Sequence, residues 1–195
     1  MGIFDDANKL VVSYLEDEYN DFYDKAEYVQ YHHEILAFGV KNHCIDCIDE
    51  DKRIYENDGT QPPIEEEKHP NCHCYYKDIE TKPVGSISKK ADEAPDVYLK
   101  LFGHLPSYYI TKDEARKLGW KPNKGNLNMV APGKMIGGDI FLNIGFTLPL
   151  KKGRTWYECD VDYFEGFRNG KRLIYSSDGL MFLTNSHYND YVYIK

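Results

Sequence analysis

The chain has 195 residues, with 42% hydrophobic and 14% aromatic side chains, 24 Lys and Arg against 32 Asp and Glu, and a formal charge of −8. That apolar content supports one or two small cores and excludes wholesale disorder. No run approaches the roughly 18 apolar residues of a membrane helix, and the opening MGIFDDANKL has neither the basic nor the apolar stretch expected of a secretory signal. Five cysteines, four of them close together, argue against a disulfide scaffold.

The charge is unevenly spread. Residues 1–90 carry a net −10 and residues 91–195 a net +2, which suggests two modules. The back module is the one suited to a polyanion.

Residues 3–38 read as helical. Leu10, Tyr14, Phe22, Tyr23, Ala26 and Val29 give a loose three-to-four-residue apolar spacing, and Gly39 is the expected stop. From 40 to 80 periodicity fades into Cys, His, Pro and charge, with Glu65, Glu66 and Glu67 expected in a solvated loop. Lys82 to Lys90 (KPVGSISKK) has linker composition. The expected organisation is therefore an acidic, mostly helical, Cys/His-rich module over 1–81, a linker over 82–90 and a second domain over 91–195.

Residues 91–195 read as α+β, helices packed on an antiparallel sheet. Pro95 fits the first turn of a helix through Val97, Tyr98, Leu99, Leu101 and Phe102, closed by Gly103. Thr111-Lys112-Asp113-Glu114 is a capping box opening a short helix that ends at Gly119. Strands are expected at 139–142, 154–161, 172–176, 180–184 and 191–194.

In the strand 154–161, period two places Arg154, Trp156, Glu158 and Asp160 on one face and Thr155, Tyr157, Cys159 and Val161 on the other. Arg168 and Arg172 follow around a hairpin. A carboxylate among guanidiniums is either an ion-pair network or a phosphate-transfer site. His187 lies in a loop between the last strands.

Several tracts then carry a resemblance: Tyr109-Ile110-Thr111-Lys112, Leu118-Gly119-Trp120, Lys124-Gly125-Asn126-Leu127, Ala131-Pro132-Gly133-Lys134, Ile136-Gly137-Gly138-Asp139-Ile140-Phe141, Gly153-Arg154-Thr155-Trp156-Tyr157-Glu158, Gly166-Phe167-Arg168-Asn169, Tyr175-Ser176-Ser177-Asp178 and His187-Tyr188. Through them residues 91–195 resemble the barnase-type microbial guanyl ribonucleases. The resemblance implies a metal-independent endoribonuclease with Glu158 as general base, His187 as general acid, and Lys112, Arg168, Arg172 and Tyr188 around the phosphoryl group. Asp160 would hold the two arginines. The family's base-reading loop corresponds to Phe141, Leu142, Asn143, Ile144, Gly145 and Phe146, and Phe167 joins the expected substrate contacts. Ile144 and Gly145 stand where the family has an Arg and a Glu, so the carboxylate that accepts from guanine is absent and relaxed or shifted base preference is expected. The resemblance also implies RNA as substrate, a barstar-like inhibitor as partner, and a toxin role.

Cys44-x₂-Cys47 and His69-Pro70-Asn71-Cys72-His73-Cys74 form a pair of motifs with zinc-type spacing. The expected structural ligands are Cys44, Cys47, Cys72 and Cys74, with His69 in reserve; free thiols or disulfides are the alternatives. Residues 30–80 also resemble the Cys/His-rich tail of Mu-type phage head-morphogenesis proteins. That implies a packaging or delivery module carrying a secreted or virion-associated ribonuclease, with no membrane partner. A competing class is an assembly protein that uses the ribonuclease fold for binding alone.

Overall fold

The computed structural model describes residues 35–39, 51–58, 74–88 and 94–195. These residues fall into two compact units. The larger comprises 81–141 and 155–195, the smaller the described residues up to 80 together with 142–154. No helix among the described residues is long and apolar enough to cross a membrane.

The smaller unit holds β1 (Ile35–Gly39), β2 (Ile54–Glu56) and β3 (Tyr75–Asp78), in the antiparallel order β2-β1-β3. This corrects the helical reading of residues 35–38. Ile35-Leu36-Ala37-Phe38 is a short continuous apolar run, which suits a strand buried on both faces as well as it suits a helix turn. Gly39 is not a helix stop. The ring of Tyr75 on the neighbouring strand lies over its backbone, and a Cβ there would sit 2.6 Å from Tyr75 Cζ. Phe38 and Tyr55 both pack edge-on to Tyr76, with centroids 5.4 and 5.8 Å away, and Cys74 is buried against this cluster. The rest of the expected helix (3–34), Glu65–Glu67, His69, Cys44, Cys47 and Cys72 lie outside the described residues.

The larger unit is a seven-stranded sheet with helices. In chain order it contains β4 (Thr81–Lys82), α1 (Pro95–Phe102), β5 (Tyr109–Ile110), α2 (Lys112–Lys117), a 3₁₀ turn (Pro122–Lys124), α3 (Leu127–Val130), β6 (Met135–Phe141), β7 (Trp156–Asp160), β8 (Arg172–Ser176), β9 (Met181–Thr184) and β10 (Val192–Ile194). The sheet order is β4-β10-β9-β8-β7-β6-β5. Its centre is antiparallel, as expected, but both edge strands add in parallel, β4 to β10 and β5 to β6.

Local chemistry sets the helices. Pro95 occupies the first turn of α1, and Gly103 ends it at φ 72°, returning its N–H to Leu99. At α2 the capping box is complete: Thr111 Oγ1 accepts from the Glu114 N–H at 3.2 Å, and Glu114 accepts from the Thr111 N–H at 2.8 Å. Val97, Ala115, Leu127, Ile136, Leu173 and Ile194 meet in one core, each at most 1% exposed.

Strand β6 begins four residues before the expected Asp139. Gly137 and Gly138 suggest a turn, but they lie inside the strand at a register shift between Gly137 and Asp139. Gly137 is there because nothing larger fits: a Cβ would lie 2.5 Å from Tyr109 Cδ1 and 2.6 Å from Cys159 Cβ.

The stretch with linker composition is bonded into this unit. Val84 and Ile87 are buried in the core, and Gly85 donates its N–H to Asp96 at 2.7 Å. Lys171 donates to the Ile87 carbonyl and to Asp162, which also accepts from the Ser88 hydroxyl at 2.9 Å.

Candidate active site

The site grows from the alternation of β7. Trp156, Glu158 and Asp160 share a face and are 5%, 6% and 0% exposed, so polar residues sit at core depth there. Cys159 is packed on the opposite side, and Tyr157 stacks on Tyr175 at 5.5 Å. A carboxylate this buried requires partners.

Glu158 has two. Lys112 Nζ lies 2.5 Å from Oε1, and the Tyr188 hydroxyl donates to Oε2. Lys112 is placed by its helix: it is the first residue of α2, and its backbone N–H points at the Asp139 carboxylate, at 3.0 and 3.2 Å. Asp139 in turn sits opposite Glu158 across β6 and β7. Burial pushes the Glu158 carboxyl up, but the hydrogen bonds from Lys112 and Tyr188 and the charges of Lys112 and Arg168 outweigh it and hold the group below the usual glutamate value. Burial and the bond to Glu158 push the Tyr188 hydroxyl well up, so it stays a donor.

Asp160 anchors the guanidiniums. Arg168 reaches it twice, through Nε at 2.8 Å and a terminal nitrogen at 2.6 Å. Arg172 Nε lies 3.1 Å from the same carboxylate, an ion-pair contact rather than an aligned hydrogen bond. A terminal nitrogen of Arg172 is held by the carbonyls of Asn169 and Lys171. Arg168 also lies over the Trp120 ring, 5.9 Å from its centroid. The arginines form an ion-pair network on Asp160, and Arg168 also acts on the charge of Glu158.

His187 and Tyr188 share a strained loop. Both adopt left-handed backbone, at φ 56° and 72°, where residues other than glycine are uncommon. Asp190 holds that loop by accepting from the Thr184 and Ser186 hydroxyls and from the backbone N–H groups of Asn185 and Ser186. Thr184 passes the order on by accepting from the Tyr188 N–H at 2.9 Å. The exposed His187 lies beside Tyr188, with ring centroids 4.6 Å apart, and its backbone N–H is tied to the Gly170 carbonyl. Phe141, at the end of β6, is the other ring contact of Tyr188, with centroids 5.2 Å apart.

Lys112, Glu158 and Tyr188 are thus directly bonded, Arg168 and Arg172 share one carboxylate, and His187 adjoins Tyr188. Tyr188, expected to contact phosphate, spends its hydroxyl on Glu158. Sequence reasoning did not assign Asp139 or Asp190. The signal for Asp190 was the short polar run around His187, in which an Asp commonly collects backbone N–H groups.

Of the expected substrate contacts, Leu142 and Ile144 are 73% and 80% exposed, and Phe167 is 69% exposed. Gly145 lies among them in the same loop as Ile144. Asn143 differs: it is 6% exposed, and its amide is committed to the N–H and carbonyl of Leu148, at 3.1 and 3.0 Å. It shapes the loop and has only its backbone to offer a base. No cluster of three or more His, Cys, Asp or Glu able to hold a metal occurs among the described residues.

This arrangement offers proton transfer and cations on a small α+β scaffold, which defines the class: an enzyme acting on a phosphodiester with its own side chains. Residues 92–195 match the family model described as ribonuclease. Over 98 residues, half of this chain, it is 52% identical to a ribonuclease from Heyndrickxia coagulans, covering 90% of that protein. It is equally similar to ribonucleases from Bacillus intermedius and Bacillus pumilus, covering 60% of each. The chain belongs to this ribonuclease family, the barnase-type microbial enzymes, and is an RNA-cleaving enzyme.

Proposed function

We propose that the chain is an endoribonuclease that cleaves single-stranded RNA by transesterification at the 2′-hydroxyl. The observation that carries this reading is Glu158: a carboxylate at core depth, kept ionised by Lys112 and Tyr188, on a strand whose next same-face residue anchors two arginines. Glu158 takes the 2′-hydroxyl proton, and O2′ attacks phosphorus. The bond from phosphorus to O5′ breaks as His187 protonates that oxygen. Lys112, Arg168 and Arg172 offset the charge that gathers on the phosphoryl oxygens. The products are a 2′,3′-cyclic phosphate and a free 5′-hydroxyl, and the nucleophile comes from RNA itself.

The loop 141–146 contacts the base. With Ile144 and Gly145 in place of a charged pair, it offers backbone groups and apolar surface, and base preference is relaxed. The toxin and delivery role, an inhibitor of barstar type and a structural zinc on Cys44, Cys47, Cys72 and Cys74 rest on sequence resemblance and spacing. A purely binding role would leave the acid–base pair unused.

Four short RNAs differing only in the base 5′ to the scissile phosphate, incubated in EDTA, test the reading. Cleavage of all four to cyclic-phosphate ends, with rates of similar size, is expected. Cleavage of the guanine substrate alone would refute the relaxed preference, and no cleavage would refute the activity.

A further inference from the structure

Residues 81–88 lie outside the family-matched region, yet they brace the loop that joins β7 to β8. This strap starts at the sheet edge, where β4 pairs with β10 in parallel and Val84 donates its N–H to the Lys195 carbonyl at 3.0 Å. It passes α1, with Gly85 bonded to Asp96, and Ile87 is 2% exposed. Its far end meets the loop. The Lys171 ammonium donates to the Ile87 carbonyl and, at 2.7 Å, to Asp162, and Asp162 accepts from the Ser88 hydroxyl at 2.9 Å. Asp162 has left-handed backbone, at φ 55°, a conformation that persists only where the surroundings hold it.

From Lys171 the order passes toward His187. The loop is closed by the Val161 N–H on the Lys171 carbonyl, and by Asn169, whose amide donates to the Val161 and Asp162 carbonyls and accepts from the Lys171 N–H. Gly170 sits between these two anchored residues. Its carbonyl accepts from the His187 N–H at 3.2 Å, and a Cβ on it would already touch the Asn185 carbonyl at 3.5 Å and the His187 nitrogen at 3.7 Å. Asp190 gathers the His187 loop on itself, while Gly170 ties that loop to the hairpin that carries Arg168 and Arg172. A general acid works only within hydrogen-bond reach of the leaving oxygen, and a misplacement of about 1 Å can cost about 10²-fold in rate.

We propose that Lys171 is a positioning residue for the general acid: held by the strap at Ile87 and by Asp162, it fixes the 169–171 turn and, through the Gly170 carbonyl, the place of His187. The inference rests on the reading of His187 as that acid. Lys171 acts through the loop and touches no reacting atom. A lysine serving instead as one more cation on the phosphoryl group would act alike on every leaving group, which separates the two roles.

The experiment uses the full chain and two substrates that share the same 5′ nucleoside. One is a dinucleotide, whose 5′-oxygen must be protonated as it leaves. The other is the nitrophenyl phosphodiester, whose phenolate leaves without a proton. Lys171→Met is expected to lower kcat on the dinucleotide about tenfold more than on the nitrophenyl ester, with KM changed by less than about twofold. The ratio between two substrates does not depend on how much of the enzyme is folded, so a stability defect cannot imitate this result. Lys171→Arg, which keeps the charged donor, is expected to restore most of the ratio. His187→Ala separates the two levels. If it lowers the dinucleotide rate selectively and Lys171→Met lowers both rates equally or neither, only the positioning role falls. If His187→Ala lowers both equally, the reading of His187 as the acid falls, and the proposal with it.

Discussion

Asp160→Asn is the sharpest perturbation of the site's foundation. The carboxylate is fully buried and sits 2.6–2.8 Å from Arg168 and 3.1 Å from Arg172, whose side chains are 19% and 4% exposed. Asparagine preserves the shape and removes the charge. Were only ordinary hydrogen bonds at stake, the loss would be about 0.5–1.5 kcal/mol. Two guanidiniums left without a counter-charge place the change in the class of broken buried pairs, about 3–5 kcal/mol. For a domain of this size each kcal/mol moves Tm by about 4–8 °C, so a fall of at least about 10 °C is expected. Tryptophan fluorescence is the assay, because both tryptophans of the chain, Trp120 and Trp156, lie in the larger unit. Arg168 also packs over Trp120. RNA cleavage measured below the lowered Tm should fall as well, since both arginines lose their shared anchor. A loss of stability under about 1 kcal/mol would refute the claim that Asp160 works as a buried counter-charge.

Other expectations follow from the same geometry. Asp96 is fully buried, and burial pushes its carboxyl from 3.8 up to about 6, which the Gly85 N–H only partly offsets. A carboxyl raised on folding contributes stability that is present below its unfolded value near 3.9 and is lost as pH rises through about 6. Asp96→Asn should therefore stabilise the protein at pH 7 by about 3 kcal/mol and lose that advantage toward pH 4, measured by urea unfolding across pH. Glu158 is held below its ordinary 4.5, so the acid limb of kcat/KM should lie below that pH, and Tyr188→Phe should move the limb upward by removing a donor. Gly137→Ala forces a Cβ into Tyr109 and Cys159, and should cost about 1–3 kcal/mol in denaturant unfolding.

Local signals were legible in the sequence, and the site residues became so through resemblance. The Thr111 capping box, the Pro95 start and the Gly103 stop each depend on a few adjacent residues, and each forms as read. What failed depended on distant partners. Gly137 and Gly39 look like breakers until Tyr109 and Tyr75 are brought against them by strands far away in sequence. Ile35–Phe38 is too short a run for periodicity to separate helix from strand. Val84 and Ile87 are two apolar residues among Pro, Gly and Ser, and nothing local says that they are buried. In the site, the alternation of β7 put Glu158 and Asp160 on one face, but polar residues there argued against burial. Their depth is explained by Lys112, Tyr188, Arg168 and Arg172, which only the fold assembles. That the Asn143 amide closes on Leu148, leaving its backbone alone for a base, is likewise set by the folded loop and not by adjacent residues.

The central claim is that the substrate supplies its own nucleophile and Glu158 activates it. A DNA strand containing one ribonucleotide, incubated in EDTA with wild type and Glu158→Gln, tests this most directly. The account predicts one cut by the wild type, on the 3′ side of the ribose and bearing a cyclic phosphate, and a rate lower by about 10²–10⁴-fold in the variant. Cleavage at deoxyribose positions, or undiminished cleavage by Glu158→Gln, would contradict it.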